Sequence, residues 1–83
     1  MPTYFFNLWD GASLIEDSEG QEFVNAEAAR QEAVLAAREM MAELVREGQE
    51  IDGQKIDVLD ARRTIVTTVR LMDELRLKPS EKS

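Results

Sequence analysis

The side chains that could carry chemistry in this sequence are carboxylates, arginines, lysines and hydroxyls, because its 83 residues include neither histidine nor cysteine. Histidine is the usual general base near neutral pH, and cysteine is a common nucleophile and zinc ligand. A carboxylate or lysine could act as a base only with a strongly shifted pKa, which usually needs a deep pocket. Because so short a chain encloses such a pocket poorly, we expect no catalytic residue, no cofactor and no enzymatic activity.

Carboxylates are concentrated near the start of the chain, where residues 1–28 contain no basic side chain. The cluster comprises Asp10, Glu16, Asp17, Glu19 and Glu22. Carboxylate oxygens suit Ca²⁺ and Mg²⁺, but this spacing does not match the twelve-residue loop of an EF-hand. We therefore interpret the cluster as a solvated acidic surface and predict no metal site.

The net charge of the chain is −7, from 10 Lys and Arg against 17 Asp and Glu. A protein that binds phosphates needs positive potential on its binding face, so this balance disfavours nucleic acid as a partner. From Lys55 onward, however, basic residues outnumber acidic ones. No basic leader precedes the first apolar residues, and no run approaches the roughly 20 apolar residues that cross a membrane. We expect a soluble, cytoplasmic protein that does not contact membranes.

Apolar periodicity and turn chemistry predict which elements position these side chains. Strands are predicted at residues 4–9, 13–16, 21–24, 55–59 and 64–71. One long helix is predicted over residues 26–47, which lack Gly and Pro. Asn25 is suited to cap its N-terminus and Gly48 to end it.

These elements predict an α+β fold in which a β-hairpin, one long helix and a second β-hairpin follow one another, a ββαββ-like order. The strands form an antiparallel sheet, and the alanine-rich side of the helix packs across one face of it. Residues 72–77 favour a terminal helical turn. Residues 1–77 are therefore predicted to form one domain, and residues 78–83 a flexible tail.

The first predicted strand carries large side chains on both faces. Tyr4, Phe6 and Leu8 alternate with Phe5, Asn7 and Trp9. If the first set packs under the helix, Phe5 and Trp9 lie on the open face, joined by Val66 from the last strand. Leu35 projects among the polar positions of the helix. We predict Phe5, Trp9, Leu35 and Val66 as an interaction surface. The alternatives are that the C-terminal segment partly shields the aromatics and that Leu35 is simply exposed.

Several short motifs occur together in this chain: Tyr4-Phe5-Phe6, Asp10-Gly11, Asp17-Ser18-Glu19-Gly20, Ala28-Ala29-Arg30, Glu32-Ala33 and Asp52-Gly53. In combination, over residues 2–75, they resemble a family of small uncharacterised bacterial proteins. Members of that family often begin with a Tyr-Phe-Phe-Asp strand and an Asp-Gly turn. The chain departs from that pattern at Asn7, where an acidic residue is common, and at residues 61–63, where an Asp-Gly type of turn is usual. The helix against a small sheet is also similar, at the level of fold, to the HicB-type antitoxin domain. Neither resemblance implies an activity or a site residue.

Three functional hypotheses stay open. The first is a non-enzymatic protein-interaction module that self-associates, for example as a homodimer, through the open sheet face or an edge strand, because a core this small gains from association. The second is an antitoxin-like regulatory inhibitor whose acidic surface binds a basic protein. The third is a carboxylate-based enzyme or small-molecule binder.

Overall fold

The structure, a computed structural model, describes residues 1–75. These residues form an antiparallel sheet with one long helix across one of its faces. In chain order the elements are β1 (Thr3–Asp10), β2 (Ser13–Ile15), β3 (Gln21–Glu22), α1 (Ala26–Arg46), β4 (Lys55–Leu59), β5 (Ile65–Arg70) and α2 (Leu71–Leu75). The predicted α+β fold and the order of its elements are confirmed.

The ends of helix α1 lie where its capping residues predict. The Oδ1 atom of Asn25 accepts a hydrogen bond from the backbone N–H of Ala28 at 2.9 Å, which satisfies a donor that has no partner within the helix. At the other end, Gly48 adopts a positive φ of 74° and donates its N–H to the carbonyl of Val45. The helix ends at Arg46, one residue before the predicted end at residue 47.

The strand order in the sheet is β2-β1-β4-β5, and β3 pairs separately with the first residues of β1. Strand β1 is thus central, and β5 forms one edge of the sheet. Both β2 and β3 are shorter than predicted. Strand β3 ends at Glu22 because the next residue, Phe23, turns into the core, where its ring centroid lies 5.8 Å from that of Phe6 and 6.1 Å from that of Tyr4.

The hydrophobic core lies between the sheet and the alanine-rich side of α1. The side chains of Tyr4, Phe6 and Leu8 lie in or against this core, as alternation in β1 predicts. The small alanine side chains on the helix let it lie close to the sheet. In the described part of the chain, Val58 and Leu71 are the largest fully buried side chains. The other face of the sheet carries the odd-numbered side chains of β1.

The last described element begins earlier than predicted. Leu71 was expected to end the last strand, but it is fully buried and begins α2, so the helical turn starts one residue before residue 72. The end of the predicted turn and the predicted tail, residues 78–83, lie outside the described residues. Among the residues described, no helix is both long and apolar enough to span a membrane.

Candidate interaction surface

The open face of the sheet is organised in rows of side chains that cross neighbouring strands. The first row pairs Phe5 with Leu59. In the second row Asn7 lies beside Asp57, and Thr68 lies beyond Asp57. The third row places Trp9 between Leu14 and Lys55, with Arg70 beyond Lys55. Because paired residues of antiparallel strands project to the same side, each row presents a continuous strip of side chains. We call the two ends of this face the Phe5 end and the Trp9 end.

The Phe5 end is covered by the loop of residues 17–20, which follows β2. The backbone N–H of Asp17 donates to Oδ1 of Asn7 at 3.0 Å, and the Asp17 carboxylate accepts the N–H of Phe6 at 3.0 Å. Gly20 lies directly against Phe5: a Cβ there would be 2.8 Å from the ring, and the residue has a positive φ of 73°. Glycine suits this position because it has no Cβ to collide with the ring and because it adopts a positive φ without strain.

Arg63 adds a second contact to Phe5 from the turn between β4 and β5. Its guanidinium carbon lies 3.8 Å from the centroid of the Phe5 ring, which is the geometry of a cation–π interaction. The same guanidinium donates a hydrogen bond to the backbone carbonyl of Asp17 at 3.2 Å. Arg63 has a positive φ of 66°, a conformation that a glycine adopts without strain. Loop 17–20 and Arg63 thus shield Phe5. Most of the C-terminal segment that the sequence offered as an alternative shield, residues 76–83, lies outside the described residues.

The carboxylate of Asp17 links the covering loop to β1. Partial burial raises the pKa of this carboxyl, but backbone N–H donors from Phe6, Gly20 and Glu19, together with the charge of Arg63, lower the pKa below its ordinary value of 3.8. The group therefore stays ionised at neutral pH. Its hydrogen bonds hold loop 17–20 in place over the open face.

The middle row of the open face contains a buried carboxylate, that of Asp57 on β4. Asp57 is only 5% exposed. Its two oxygens accept hydrogen bonds from the indole Nε1–H of Trp9 at 3.0 Å and from the hydroxyl of Thr68 at 2.8 Å. Alternation places Asp57 on the open face but does not show that the neighbouring strands bring donors to it. The hydrogen bond fixes the indole of Trp9 across the sheet.

The Trp9 end combines this fixed aromatic ring with two cations. The Nζ atom of Lys55 lies 5.8 Å from the centroid of the Trp9 ring, and exposed Arg70 is paired with Lys55 on the next strand. Leu14, which the sequence did not single out, is exposed beside Trp9 on β2. The row presents a half-buried indole, one apolar side chain and two positive charges.

Comparison with known protein families identifies one match to this sequence. The family model of a domain of unknown function, DUF6894, matches residues 3–72. The chain belongs to this family. No curated protein and no solved structure matches the chain. The predicted membership of a small uncharacterised family is confirmed, whereas bacterial origin and the likeness to HicB-type antitoxins stay predictions.

This DUF6894 domain does not bring the four predicted interface residues together. Phe5 and Trp9 occupy opposite ends of the open face, and Val66 lies in the edge strand β5. Leu35 is 53% exposed on α1, which packs against the other face of the sheet. It lies in a shallow groove of about 390 Å³ with Arg30, Val34, Arg38 and Glu74 among its lining residues.

The carboxylates of the DUF6894 domain do not converge on a metal site. Within residues 1–75, no group of three or more carboxylate, histidine or cysteine side chains is placed to hold an ion. The acidic cluster of residues 10–22 is spread over β1, β2, β3 and their connections. The Asp17 carboxylate instead accepts backbone N–H groups, which is a structural role.

Proposed function

We propose that this domain is a non-enzymatic interaction module that self-associates through the outer edge of β5. The supporting observation is the composition and exposure of this edge strand. Residues 65–70 contain three β-branched aliphatic residues, two threonines and a single charge, that of Arg70. Ile65 is 55% exposed and Val66 is 42% exposed. In the described part of the chain, no strand pairs with the outer side of β5.

Unprotected edge strands tend to pair with other strands because their outward N–H and C=O groups lack partners. Natural proteins usually protect such edges with charges, proline or very short strands. Strand β2, at the other edge, has only three residues. Strand β5 is twice as long and lacks proline. Within residues 1–75, its protection is limited to Arg70 and a register irregularity at Val58 and Leu59 of the paired strand.

The occupant that fits best is β5 of a second copy. Two copies of one strand can pair antiparallel about a two-fold axis, which gives a closed dimer in which each surface meets itself. Such pairing joins the two sheets into one and satisfies backbone groups of both edges. It also brings the exposed aliphatic side chains at the start of β5 out of water, with a gain of about 25 cal/mol per Å² of apolar surface.

Substitution of Val66 by lysine tests this proposal. Val66→Lys places a charge on the edge, and we expect it to shift the native mass of the domain from dimer to monomer. The matched control is Val45→Lys, because Val45 is 65% exposed near the end of α1 and receives the same change away from the edge. Light scattering after size-exclusion chromatography gives the mass, and circular dichroism checks folding. A monomeric parent protein, or a folded Val66→Lys protein that stays dimeric, would overturn the proposal.

A second candidate is a regulatory inhibitor that binds a basic protein. Glu16, Glu19 and Glu22 are exposed around β3, and the ion pairs of the described residues involve other carboxylates. Association steered by such charges slows as salt is added. Capture of a basic protein whose on-rate is independent of salt would contradict this candidate. The third hypothesis, a carboxylate-based enzyme or binder, has less support because, within residues 1–75, no three carboxylates come together at one site.

A further inference from the structure

We propose that the Trp9 end of the open face binds single-stranded nucleic acid, with Lys55 and Arg70 contacting phosphates and the indole of Trp9 stacking on a base. The inference concerns one copy of the chain and does not depend on pairing through β5. Sheets that bind single strands combine stacked aromatic side chains with cations that follow the phosphate backbone. The row of Trp9, Lys55 and Arg70 supplies both components on one surface.

The spacing of this row suits an extended ligand. Trp9 pairs with Lys55 across β1 and β4, and Lys55 pairs with Arg70 across β4 and β5. Neighbouring strands lie about 4.8 Å apart, so the Cα atoms of the two basic residues lie about one and two strand spacings from that of Trp9. A strand of nucleic acid laid across the sheet meets the aromatic ring first and the cations next.

The indole of Trp9 is held ready for stacking. Its Nε1–H donates to the buried carboxylate of Asp57 at 3.0 Å, so little rotational freedom remains to be lost on binding. The Nζ atom of Lys55 is 5.8 Å from the ring centroid. A base on this ring therefore brings its own phosphate within reach of the Lys55 ammonium, which can turn on its flexible stem.

The local charge of this surface differs from the charge of the whole chain. The sequence-based expectation against nucleic acid rests on the net charge of −7, which averages over all surfaces. The Trp9 row contains two cations and no carboxylate. In the adjacent row, the carboxylate of Asp57 is buried and accepts two hydrogen bonds. Charges on the outer side of α1 lie behind the sheet, and the Debye length at physiological salt is only about 8 Å.

The openness of the surface favours a polymer over a single nucleotide. Two grooves of the described part of the chain are shallow and lined mainly by side chains of α1, on the other side of the sheet. A mononucleotide gains most of its affinity from enclosing walls, whereas a strand gains from successive contacts on an open face. An acidic peptide carries negative charges that complement Lys55 and Arg70. Its acidic side chains, however, offer no planar ring that could stack on the indole of Trp9.

Titration with a short oligothymidylate tests the inference directly, because Trp9 is the only tryptophan in the chain. We expect the oligonucleotide to quench Trp9 fluorescence at low salt, with a slope of log affinity against log salt near −1.4 for two phosphate contacts. The double variant Lys55→Gln, Arg70→Gln should bind at least about tenfold more weakly and lose most of this slope. Fluorescence anisotropy of a labelled oligothymidylate measures the same affinities independently of Trp9.

Charge-matched controls separate this surface from general electrostatics. The variant Arg30→Gln, Arg46→Gln removes two exposed arginines of α1 that pair with Glu27 and Glu43, and we expect it to bind as the parent does. Absence of quenching by the oligothymidylate, or equal weakening by both double variants, would overturn the inference. So would equally tight binding of polyglutamate, since that result points to an acidic protein segment. Oligothymidylate binding by a parent protein that light scattering shows to be monomeric would support this inference and overturn the proposed self-association.

Discussion

At the Phe5 end of the open face, loop 17–20 and Arg63 lie against the aromatic ring, whereas at the Trp9 end the indole is contacted by side chains of the sheet itself. Both aromatic residues occupy odd-numbered positions of β1, so strand alternation places both on the same face of the sheet. The difference arises from segments far away in the chain. An aromatic residue on an open sheet face is thus a candidate contact only when connecting loops leave it uncovered.

Among substitutions at the two ends, we expect the largest loss of stability from one that fills the space beside Phe5. Gly20→Ala combines a positive φ with a Cβ 2.8 Å from the ring, and we expect it to lower the free energy of unfolding by about 2 to 4 kcal/mol. Gly11→Ala is the matched control, because Gly11 has a φ of 65° but no atom within 4 Å of its added Cβ. Urea denaturation followed by circular dichroism measures both. Equal losses would show that the loop does not pack tightly on Phe5.

Removal of the Asp17 carboxylate should release the same loop with a smaller effect. Asp17→Ala deletes the acceptor for the N–H groups of Phe6, Glu19 and Gly20, and we expect it to lower the free energy of unfolding by about 2 kcal/mol at neutral pH. Because the pKa of Asp17 is lower in the folded protein than its ordinary value of 3.8, the unfolded state binds more protons in acid. The contribution is therefore complete above the unfolded pKa and is lost as pH falls through the folded one.

Denaturation of the parent and the Asp17→Ala variant between neutral pH and pH values below 3.8 checks this sign. The difference in stability between the two proteins should shrink as the solution becomes more acidic. A difference that stayed constant with pH would mean that the carboxylate charge does not hold the loop.

The smallest effect is expected at the Trp9 end. Trp9→Phe keeps an aromatic ring but removes the donor at 3.0 Å from the Asp57 carboxylate. We expect a loss of about 1.5 kcal/mol in the free energy of unfolding, the lower end for a hydrogen bond to a charged group. Thr68→Val is a suitable comparison, because Thr68 donates to the other oxygen of the same group. Thermal and urea denaturation of both variants measure the loss. If Trp9→Phe cost more than Gly20→Ala, the Trp9 end would be the more tightly constrained of the two.

Sequence periodicity was sufficient to predict the order of helices and strands and to predict which side chains of β1 face the core. Asn25 and Gly48 marked the ends of α1, and alternation assigned Tyr4, Phe6 and Leu8 to the core. These features depend on residues near one another in the chain. Local chemistry and a repeating backbone geometry are enough to predict them.

The surroundings of the candidate surface could not be predicted in the same way. Trp9 and Asp57 are 48 positions apart and meet only because β1 pairs with β4. Arg63 reaches Phe5 from the opposite half of the chain. The departure at residues 61–63 from the usual Asp-Gly turn was visible in the sequence, but its role was not, because a turn residue does not indicate what its side chain will cover. Pairing order and loop paths depend on contacts across the whole fold.

The central position of β1 also constrains when this fold can form during synthesis. The first strand to be made pairs along most of its length with β4, residues 55–59. Until those residues are available, the inner edge of β1 carries unpaired backbone groups beside Phe6 and Leu8. A chain that has reached only the end of α1 therefore exposes an apolar strand edge, which is a common starting point for aggregation. Completion of the sheet, rather than of the helix, is the step that protects the nascent protein.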